Sequence, residues 1–192
     1  MPRPKTHDEA LRVRLLDRAG QLLSTAGPEA LSLRRLASDV GTSTTAVYSL
    51  FGGKPALVRE LYVAAFQRFG ARLDEVTCSG DPDEDLVRLG LAYRRAALAE
   101  PHLYSIMFTK AVAGFEPDRA AVDHVLGPMV AVGRQAGLPD PETVAMTVWG
   151  LAHGLVSLEL NGNLTDAGQV ERVLRTGLTA GTHPATAQPA TY

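Results

Sequence analysis

Apolar residues return every three or four positions along almost the whole chain, which predicts helices and no sustained strand. In the first predicted helix, the apolar side chains between Leu11 and Ala26 form one stripe. Thr6 and Glu9 have the spacing of a capping box at its start, and the glycine at position 27 suits its end. The pattern therefore predicts an all-α protein that begins with a long amphipathic helix.

Two short helices and one long helix are predicted next. Ser32 is the predicted N-cap of a helix that ends at Gly41, and a second short helix runs from about residue 44 to residue 50. Helices this short are not stable alone in water, so we expect their neighbours to pack on them. Pro55 suits the first turn of a long helix that reaches Leu73 and is expected to join an N-terminal domain to the rest of the chain.

The remainder of the chain is predicted to form a helical C-terminal domain. Residues 77–85 are the predicted linker before it. The predicted helices span residues 83–99, 101–110, 117–136, 140–161 and 166–180. We expect a DNA-binding domain over residues 1–56, a helical effector-binding and dimerisation domain over residues 57–180, and a disordered tail over residues 181–192.

Composition excludes several classes of protein. The chain has 192 residues, of which 45% are hydrophobic and 21% charged, which is typical of a globular protein. The sequence has no run of about eighteen apolar residues, so no membrane partner is expected. A polar N-terminal segment and a single cysteine, Cys78, predict a cytoplasmic protein without a disulfide framework.

The net charge of −2 conceals an uneven distribution. Residues 1–60 contain nine Lys and Arg against six Asp and Glu, a balance of +3, which leaves −5 for the remainder. This asymmetry indicates a basic N-terminal region that meets an anionic partner.

The two short helices have the layout of a helix-turn-helix, in which the second helix enters the DNA major groove. Their apolar residues are expected to form a small core, which leaves one hydroxyl-rich face exposed. That face comprises Ser43, Thr44, Thr45, Tyr48 and Ser49. Hydroxyl groups bind phosphate oxygens and base edges, and Ser32, Arg34 and Lys54 lie at helix ends where a phosphate is favoured. Taken singly, the same residues also fit helix caps and a solvated charged face.

The run from Ala30 to Leu57 resembles the DNA-binding region of TetR-family repressors. The shared pattern is Ser-Leu-x-x-Leu-Ala-x-x-x-Gly from Ser32, followed by Thr-Ala-Val-Tyr-x-x-Phe-x-x-Lys-x-x-Leu from Thr45. The resemblance implies phosphate contacts by Tyr48 and Lys54. It also implies base contacts by Thr44, Thr45 and Ser43, with Arg34 at the backbone or a groove edge. Two glycines precede Lys54, where the family more usually has polar residues.

A second resemblance, in the C-terminal half, is to the TetR subgroup named for its Trp-His-Gly signature. It is carried by Tyr93-Arg94, by residues 100–108 and by Trp149-Gly-x-x-His153-Gly. It implies a homodimer in which the last two long helices of each chain form a four-helix bundle. Residues 144–160 are apolar almost all round, which also favours burial against a twofold partner. The expected dimer contacts are Val148, Leu151, Leu155, Leu158, Val173, Leu174 and Leu178.

Aromatic and methionine side chains in the predicted C-terminal domain are candidates for an effector pocket. They are Phe66, Phe69, Tyr93, Met107, Phe108, Phe115, Met129, Trp149 and His153. Such a lining suits a small, largely apolar or aromatic molecule. Residues of these types at helical spacing also form ordinary core, and both interpretations stay open.

The sequence therefore favours a homodimeric transcriptional repressor that an effector releases from a palindromic operator of double-stranded DNA. The alternative is a helical DNA-binding protein whose C-terminal domain serves only dimerisation or a protein partner. An enzyme is not expected, because the chain lacks the common nucleophile, phosphate-loop and dinucleotide motifs. Its five histidines show no metal-ligand spacing, so neither a metal nor a cofactor is expected.

Overall fold

The computed structural model describes residues 5–108 and 119–182, and these residues form helices without strands. The prediction of an all-α fold is confirmed. The helices are α1 (Lys5–Ala30), α2 (Leu33–Val40), α3 (Thr44–Phe51), α4 (Lys54–Asp74), α5 (Pro82–Ala99), α6 (Pro101–Met107), α7 (Arg119–Gln135), α8 (Pro141–Leu160) and α9 (Ala167–Thr182).

Several predicted boundaries shift by a few residues. Helix α1 begins at Lys5, so Thr6 lies inside the helix and not at the predicted N-cap position. Its path is interrupted at the predicted stop, Gly27, where φ is 74°. Helix α9 continues to Thr182, two residues into the predicted tail, and residues 183–192 lie outside the described part of the chain.

The described residues divide into two compact units. Unit 1 comprises those of Met1–Arg68 and Glu100–Val122, and unit 2 comprises those of Phe69–Ala99 and Asp123–Tyr192. The division therefore falls inside α4. Helix α6 belongs to unit 1 because it packs on α1, where a Cβ added at Gly20 would lie 3.3 Å from Ile106 Cδ1.

The core of unit 1 is built from the apolar stripes of its helices. Leu15 and Ala19 of α1, Leu36 of α2 and Val47 of α3 are fully buried. Leu57 of α4 is buried as well. The short helices α2 and α3 thus gain the tertiary packing that their length requires.

Unit 2 is held by close contacts among α5, α8 and α9. A Cβ added at Gly90 of α5 would lie 2.8 Å from Leu174 Cδ2 of α9, so a larger residue there would require the leucine side chain to shift. Arg94 of α5 donates to both carboxylate oxygens of Glu159 on α8, with an Nε–Oε2 distance of 2.7 Å. These hydrogen bonds raise the pKa of the largely buried Arg94, which therefore stays charged.

Helix α8 meets the length and composition criteria for a membrane span, alone among the helices of residues 5–108 and 119–182. A single helix of this kind is weak support for a span, because core helices of soluble proteins meet the same criteria. In this structure α8 packs against both α5 and α9.

Candidate functional site

Helices α2 and α3 are joined by a tight turn that begins at a left-handed glycine. Gly41 has φ 74° and ψ 40°, and its N–H donates to Ser38 O. Thr42 N–H donates to Ala37 O at 2.8 Å, which completes a Schellman motif. Ser43 then caps α3, because its Oγ accepts from Ala46 N–H at 3.1 Å. The turn therefore fixes the start of α3 within three residues of the end of α2.

The outer face of α3 presents the predicted hydroxyl groups. Tyr48 is 54% exposed, Thr45 and Ser49 are exposed, and Thr44 is half-buried. The opposite face is the buried one, with Val47 in the core. The exposed hydroxyl-bearing side chains are therefore not used for packing in the core.

Ser32 and Ser43 serve as helix caps and also remain exposed. Ser32 Oγ accepts from Arg35 N–H at 3.1 Å, as Ser43 Oγ does from Ala46 N–H. A hydroxyl group that accepts one hydrogen bond keeps its O–H as a donor. The cap interpretation and the phosphate-contact interpretation are therefore compatible at both serines.

The turn before α4 explains the two glycines that depart from the family pattern. Gly52 has φ 77° and Gly53 has φ 154°, so both occupy backbone conformations that side chains disfavour. Gly52 N–H donates to Tyr48 O at 2.7 Å, which ends α3. Lys54 follows as the half-buried first residue of α4, and Arg34 is exposed on α2.

One arginine of α1 that the sequence interpretation missed binds the other end of α3. Arg12 Nη2 donates to Leu50 O at 3.0 Å, and its guanidinium lies 5.2 Å from the centre of the Phe51 ring. Its Nη1 donates to Glu60 of α4. One side chain thus links α1 with the C-terminal end of α3 and with α4.

Two further arginines of α1 bind the C-terminal end of α2. Arg14 Nη2 donates to Val40 O at 2.7 Å, and Arg18 Nε donates to Asp39 Oδ2 at 2.8 Å. Cations at a helix C-terminus satisfy free carbonyl groups and interact favourably with the helix dipole. We name Arg12, Arg14 and Arg18 the α1 arginine clamp.

The clamp uses part of the positive charge that was counted in the N-terminal region. Three of the nine cations among residues 1–60 bind groups inside unit 1, and Arg35 lies 4.0 Å from Asp39 as well. Only part of the counted charge therefore faces outward. In sequence, Arg12, Arg14 and Arg18 are indistinguishable from solvated arginines, because their partners are backbone and acidic groups on other helices.

The predicted effector-pocket residues are mostly core residues. Phe66, Met107 and the half-buried Phe108 belong to unit 1, and Phe115 lies outside the described residues. In unit 2 the set comprises Phe69, Tyr93, Met129, Trp149 and His153.

Tyr93 shows how these unit 2 residues pack. It is fully buried, lies edge-on against Phe69 at 4.7 Å between ring centres, and accepts a hydrogen bond from Trp149 Nε1 at 3.1 Å. Partial burial lowers the pKa of His153, which favours its neutral form. These contacts are those of a packed core with satisfied polar groups.

Two surface clefts of unit 2 are lined by other residues. The first, which we name the basic cleft, has a volume of about 580 Å³. It is lined by Arg72, Glu75, Val76, Thr77, Arg88, Ala92, Arg95, Ala96 and Ala99. The second, of about 470 Å³, lies beside α7 and includes Leu73, Leu89, His124 and Pro128. The eight described residues of the predicted pocket line neither of these clefts, and the predicted effector pocket stays a prediction.

The predicted dimer contacts also divide into two groups. Val148, Leu155, Leu174 and Leu178 are buried within the chain, where α5, α8 and α9 pack together, and their role in a dimer stays a prediction. Leu151 is half-buried, since it covers Gly177 of α9. Leu158 and Val173 are 45% and 42% exposed and remain candidates.

Comparisons with known families cover most of the chain. The family described as "Bacterial regulatory proteins, tetR family" matches residues 15–61, and "Tetracyclin repressor-like, C-terminal domain" matches residues 86–180. The second match does not distinguish the Trp-His-Gly subgroup, which stays a prediction. A search of curated proteins gave no significant match.

Solved structures share the fold over nearly the full length. A protein assigned as regulatory, SCO4313, is 25% identical with a TM-score of 0.76, over 93% of this chain and 98% of its own. A protein of unknown function from Rhodococcus sp. RHA1 is 28% identical with a TM-score of 0.71, over 88% and 92%. The TetR-family regulator PfmR from Thermus thermophilus is 23% identical with a TM-score of 0.65, over 88% and 97%. The two family matches and the shared fold show that this chain belongs to the TetR family of transcription regulators.

Proposed function

We propose that the protein is a homodimeric repressor that binds a palindromic operator and is released by a small-molecule effector. The observation that carries the proposal is the exposed hydroxyl face of α3, fixed at one end by Ser43 and at the other by Arg12. A helix held at both ends presents its outer side chains to a major groove with little loss of conformational entropy on binding.

In this proposal the residues of the helix-turn-helix have separate roles. Thr44, Thr45 and Ser43 contact base edges, while Tyr48 and Ser49 reach phosphate oxygens. Ser32, Arg34 and Lys54 bind the phosphate backbone on either side. All of these side chains lie outside the core of unit 1, where DNA can reach them.

The exposed face of α8 supports the homodimer. Gly150 and Gly154 lie one turn apart and are exposed, and a Cβ added at either would meet no atom within 4 Å. A glycine inside a helix costs about 1 kcal/mol relative to alanine, and packing within the chain does not require these two. With Leu158 on α8 and Val173 on α9 they form a surface on which a second copy can approach closely.

The effector is proposed to act through α4, the helix that contributes residues to both units. An effector shifts a protein between two states only when it binds one of them more tightly. Release from DNA therefore requires that the effector favour a conformation of α4 that disfavours the operator complex. If the C-terminal domain serves only dimerisation or a protein partner, effector candidates will leave the DNA affinity unchanged.

DNA binding is tested by fluorescence anisotropy on fragments that the full-length protein selects from a random pool. The Tyr48→Ala, Lys54→Ala double variant is expected to bind at least tenfold more weakly and to lose about one to two units of the log–log salt slope. Both side chains lie at or near the surface, so melting should change little.

Arg68→Ala is the matched control, because it removes a cation about 21 Å further along α4. Its DNA affinity should stay close to that of the unmodified protein. Wild-type affinity in the double variant, or binding that is insensitive to salt, would refute the proposed interface.

A further inference from the structure

The basic cleft of unit 2 combines cationic side chains with an apolar floor. Arg72 comes from the end of α4, Glu75 and Thr77 follow that helix, and Arg88 and Arg95 come from α5. The volume of about 580 Å³ lies in the range of small-molecule sites.

Positive charge is concentrated in this cleft although unit 2 is acidic. Unit 2 contains seven arginines and no lysine against twelve Asp and Glu, a balance of −5 with histidines neutral. Three of the seven arginines line the cleft, together with one of the twelve carboxylates. The local balance of +2 is therefore opposite in sign to that of the surrounding unit.

The arginines of the cleft differ in how far they are already paired. Arg88 Nε donates to Glu84 at 3.2 Å and its Nη1 to Thr77 O at 3.3 Å, while Arg72 lies 3.8 Å from Glu75. Arg95 is exposed and has no hydrogen bond or ion pair with any of the described residues. Its guanidinium keeps all its donors for a planar oxyanion, which it can bind in bidentate geometry.

The floor of the cleft consists of small apolar side chains. Ala92, Ala96 and Ala99 follow one another along one face of α5, and Val76 extends the surface toward α4. Methyl groups of this kind provide contact area for an aliphatic chain or an aromatic ring without a steric barrier. The pattern suits a molecule with an anionic end and an apolar body.

We propose that the basic cleft binds an amphipathic carboxylate, with its carboxylate on Arg95 and its apolar body on the alanine floor. That such a molecule acts as the effector rests on the proposed function, whereas binding itself does not. The sequence predicts a small, largely apolar or aromatic molecule, and a carboxylate is the additional feature that the cleft requires.

Isothermal titration calorimetry of the full-length protein with 1-naphthoate and octanoate tests the site. The neutral analogue 1-naphthol is expected to bind at least tenfold more weakly than 1-naphthoate, since it forgoes the charge-assisted hydrogen bonds. Octyl phosphate, titrated beside octanoate, distinguishes a carboxylate site from a phosphate site. Equal binding of naphthol, tighter binding of the phosphate, or no binding of either carboxylate would overturn the proposal.

Two substitutions place the ligand in the cleft. Arg95→Gln is expected to weaken naphthoate binding about tenfold, and Ala96→Glu to abolish it by setting a carboxylate on the floor. Arg172→Gln is the matched control, because Arg172 is an exposed arginine of the same unit outside the cleft. If Arg95→Gln binds as the unmodified protein does, or if the control loses as much affinity, the cleft is not the site. Arg95→Gln keeps the test decisive should Ala96→Glu fail to fold.

A separate experiment, fluorescence anisotropy with DNA, tests whether the ligand acts as an effector. Naphthoate that binds the cleft and leaves DNA affinity unchanged would reject the effector role and retain the site. Release of DNA by naphthoate that persists in Arg95→Gln would overturn the cleft as the effector site and leave the repressor proposal intact.

Discussion

At the scale of single residues, Arg12 has the most connected side chain of the helix-turn-helix region. Its guanidinium joins a carbonyl oxygen at the end of α3, the face of the Phe51 ring and the carboxylate of Glu60. Because these groups occupy its guanidinium, we expect Arg12 to affect DNA binding by positioning α3 and not by binding phosphate.

Replacing Arg12 separates positioning from contact. Arg12→Ala is expected to lower DNA affinity several-fold and the free energy of unfolding by about 1–3 kcal/mol, because Leu50 O and Glu60 lose their donor. Its salt slope should equal that of the unmodified protein, whereas Lys54→Ala should lower the slope by about 0.9. Anisotropy titrations at several salt concentrations measure both. A reduced slope in Arg12→Ala would mean that Arg12 neutralises a phosphate directly.

Residue-level prediction succeeded where the sequence alone determines exposure. The hydroxyl face of α3 followed from helical spacing, since Val47 and Phe51 had to lie inside and Thr45 and Ser49 consequently outside. The α1 arginine clamp was not predictable, because its partners are defined only once α1 crosses the ends of α2 and α3.

At the scale of elements, helix ends were predicted better than helix environments. Ser32 caps α2 and Gly41 ends it as expected, because such signals depend on a few adjacent residues. The surroundings of Tyr93 depend on α4, α5 and α8 together, and its aromatic character could not distinguish a cavity from a core.

The predicted linker, residues 77–85, forms a loop and the first turn of α5, and it contains a buried charge. Asp85 is 3% exposed, and it accepts hydrogen bonds from Ser79 N–H, Ser79 Oγ and Gly80 N–H. Burial alone would raise the pKa of Asp85, but these hydrogen bonds lower it below its ordinary value of 3.8. The ionised carboxylate therefore stabilises the entry into α5.

Asp85→Asn is expected to lower the free energy of unfolding by about 1–3 kcal/mol at pH 7, because the amide cannot accept all three hydrogen bonds. The folded pKa is depressed, so the contribution of Asp85 is fully present well above pH 3.8 and is lost as the pH falls through the folded pKa. Urea unfolding at pH 7 and at pH 3 should show a smaller difference between the two proteins at the lower pH. A constant difference would show that the carboxylate charge is not responsible.

At the scale of the whole molecule, the two units carry net charges of opposite sign, positive in unit 1 and negative in unit 2. Part of the positive charge of the N-terminal region holds the helix-turn-helix together, which leaves few cations per chain for phosphate. Binding strength is consequently expected to depend on two copies acting on one operator.

Gly154→Leu tests that dependence. A Cβ added at this exposed position meets no atom within 4 Å inside the chain, and leucine suits a helix, so we expect a monomer to tolerate the substitution. A second copy packed on α8 would clash with the new side chain. We expect sedimentation velocity to show monomers at micromolar concentration and anisotropy to show at least tenfold weaker DNA binding.

Gly127→Leu provides the control on α7, where an added Cβ is equally unobstructed. It should remain dimeric and bind DNA normally. An unchanged dimer in Gly154→Leu would exclude this face of α8 as the interface.

The way α3 is held has a consequence for how operator preference can change over evolutionary time. Its fixed points are the Ser43 cap, the buried Val47 and Phe51, and the Arg12 contact at Leu50 O. The exposed positions Thr45 and Ser49 contribute to none of them. Because Thr45 is proposed to contact base edges, we expect exchanges at that position to redirect the protein to new promoters at little cost in folding, so that α3 can diversify as a reading surface on a constant scaffold.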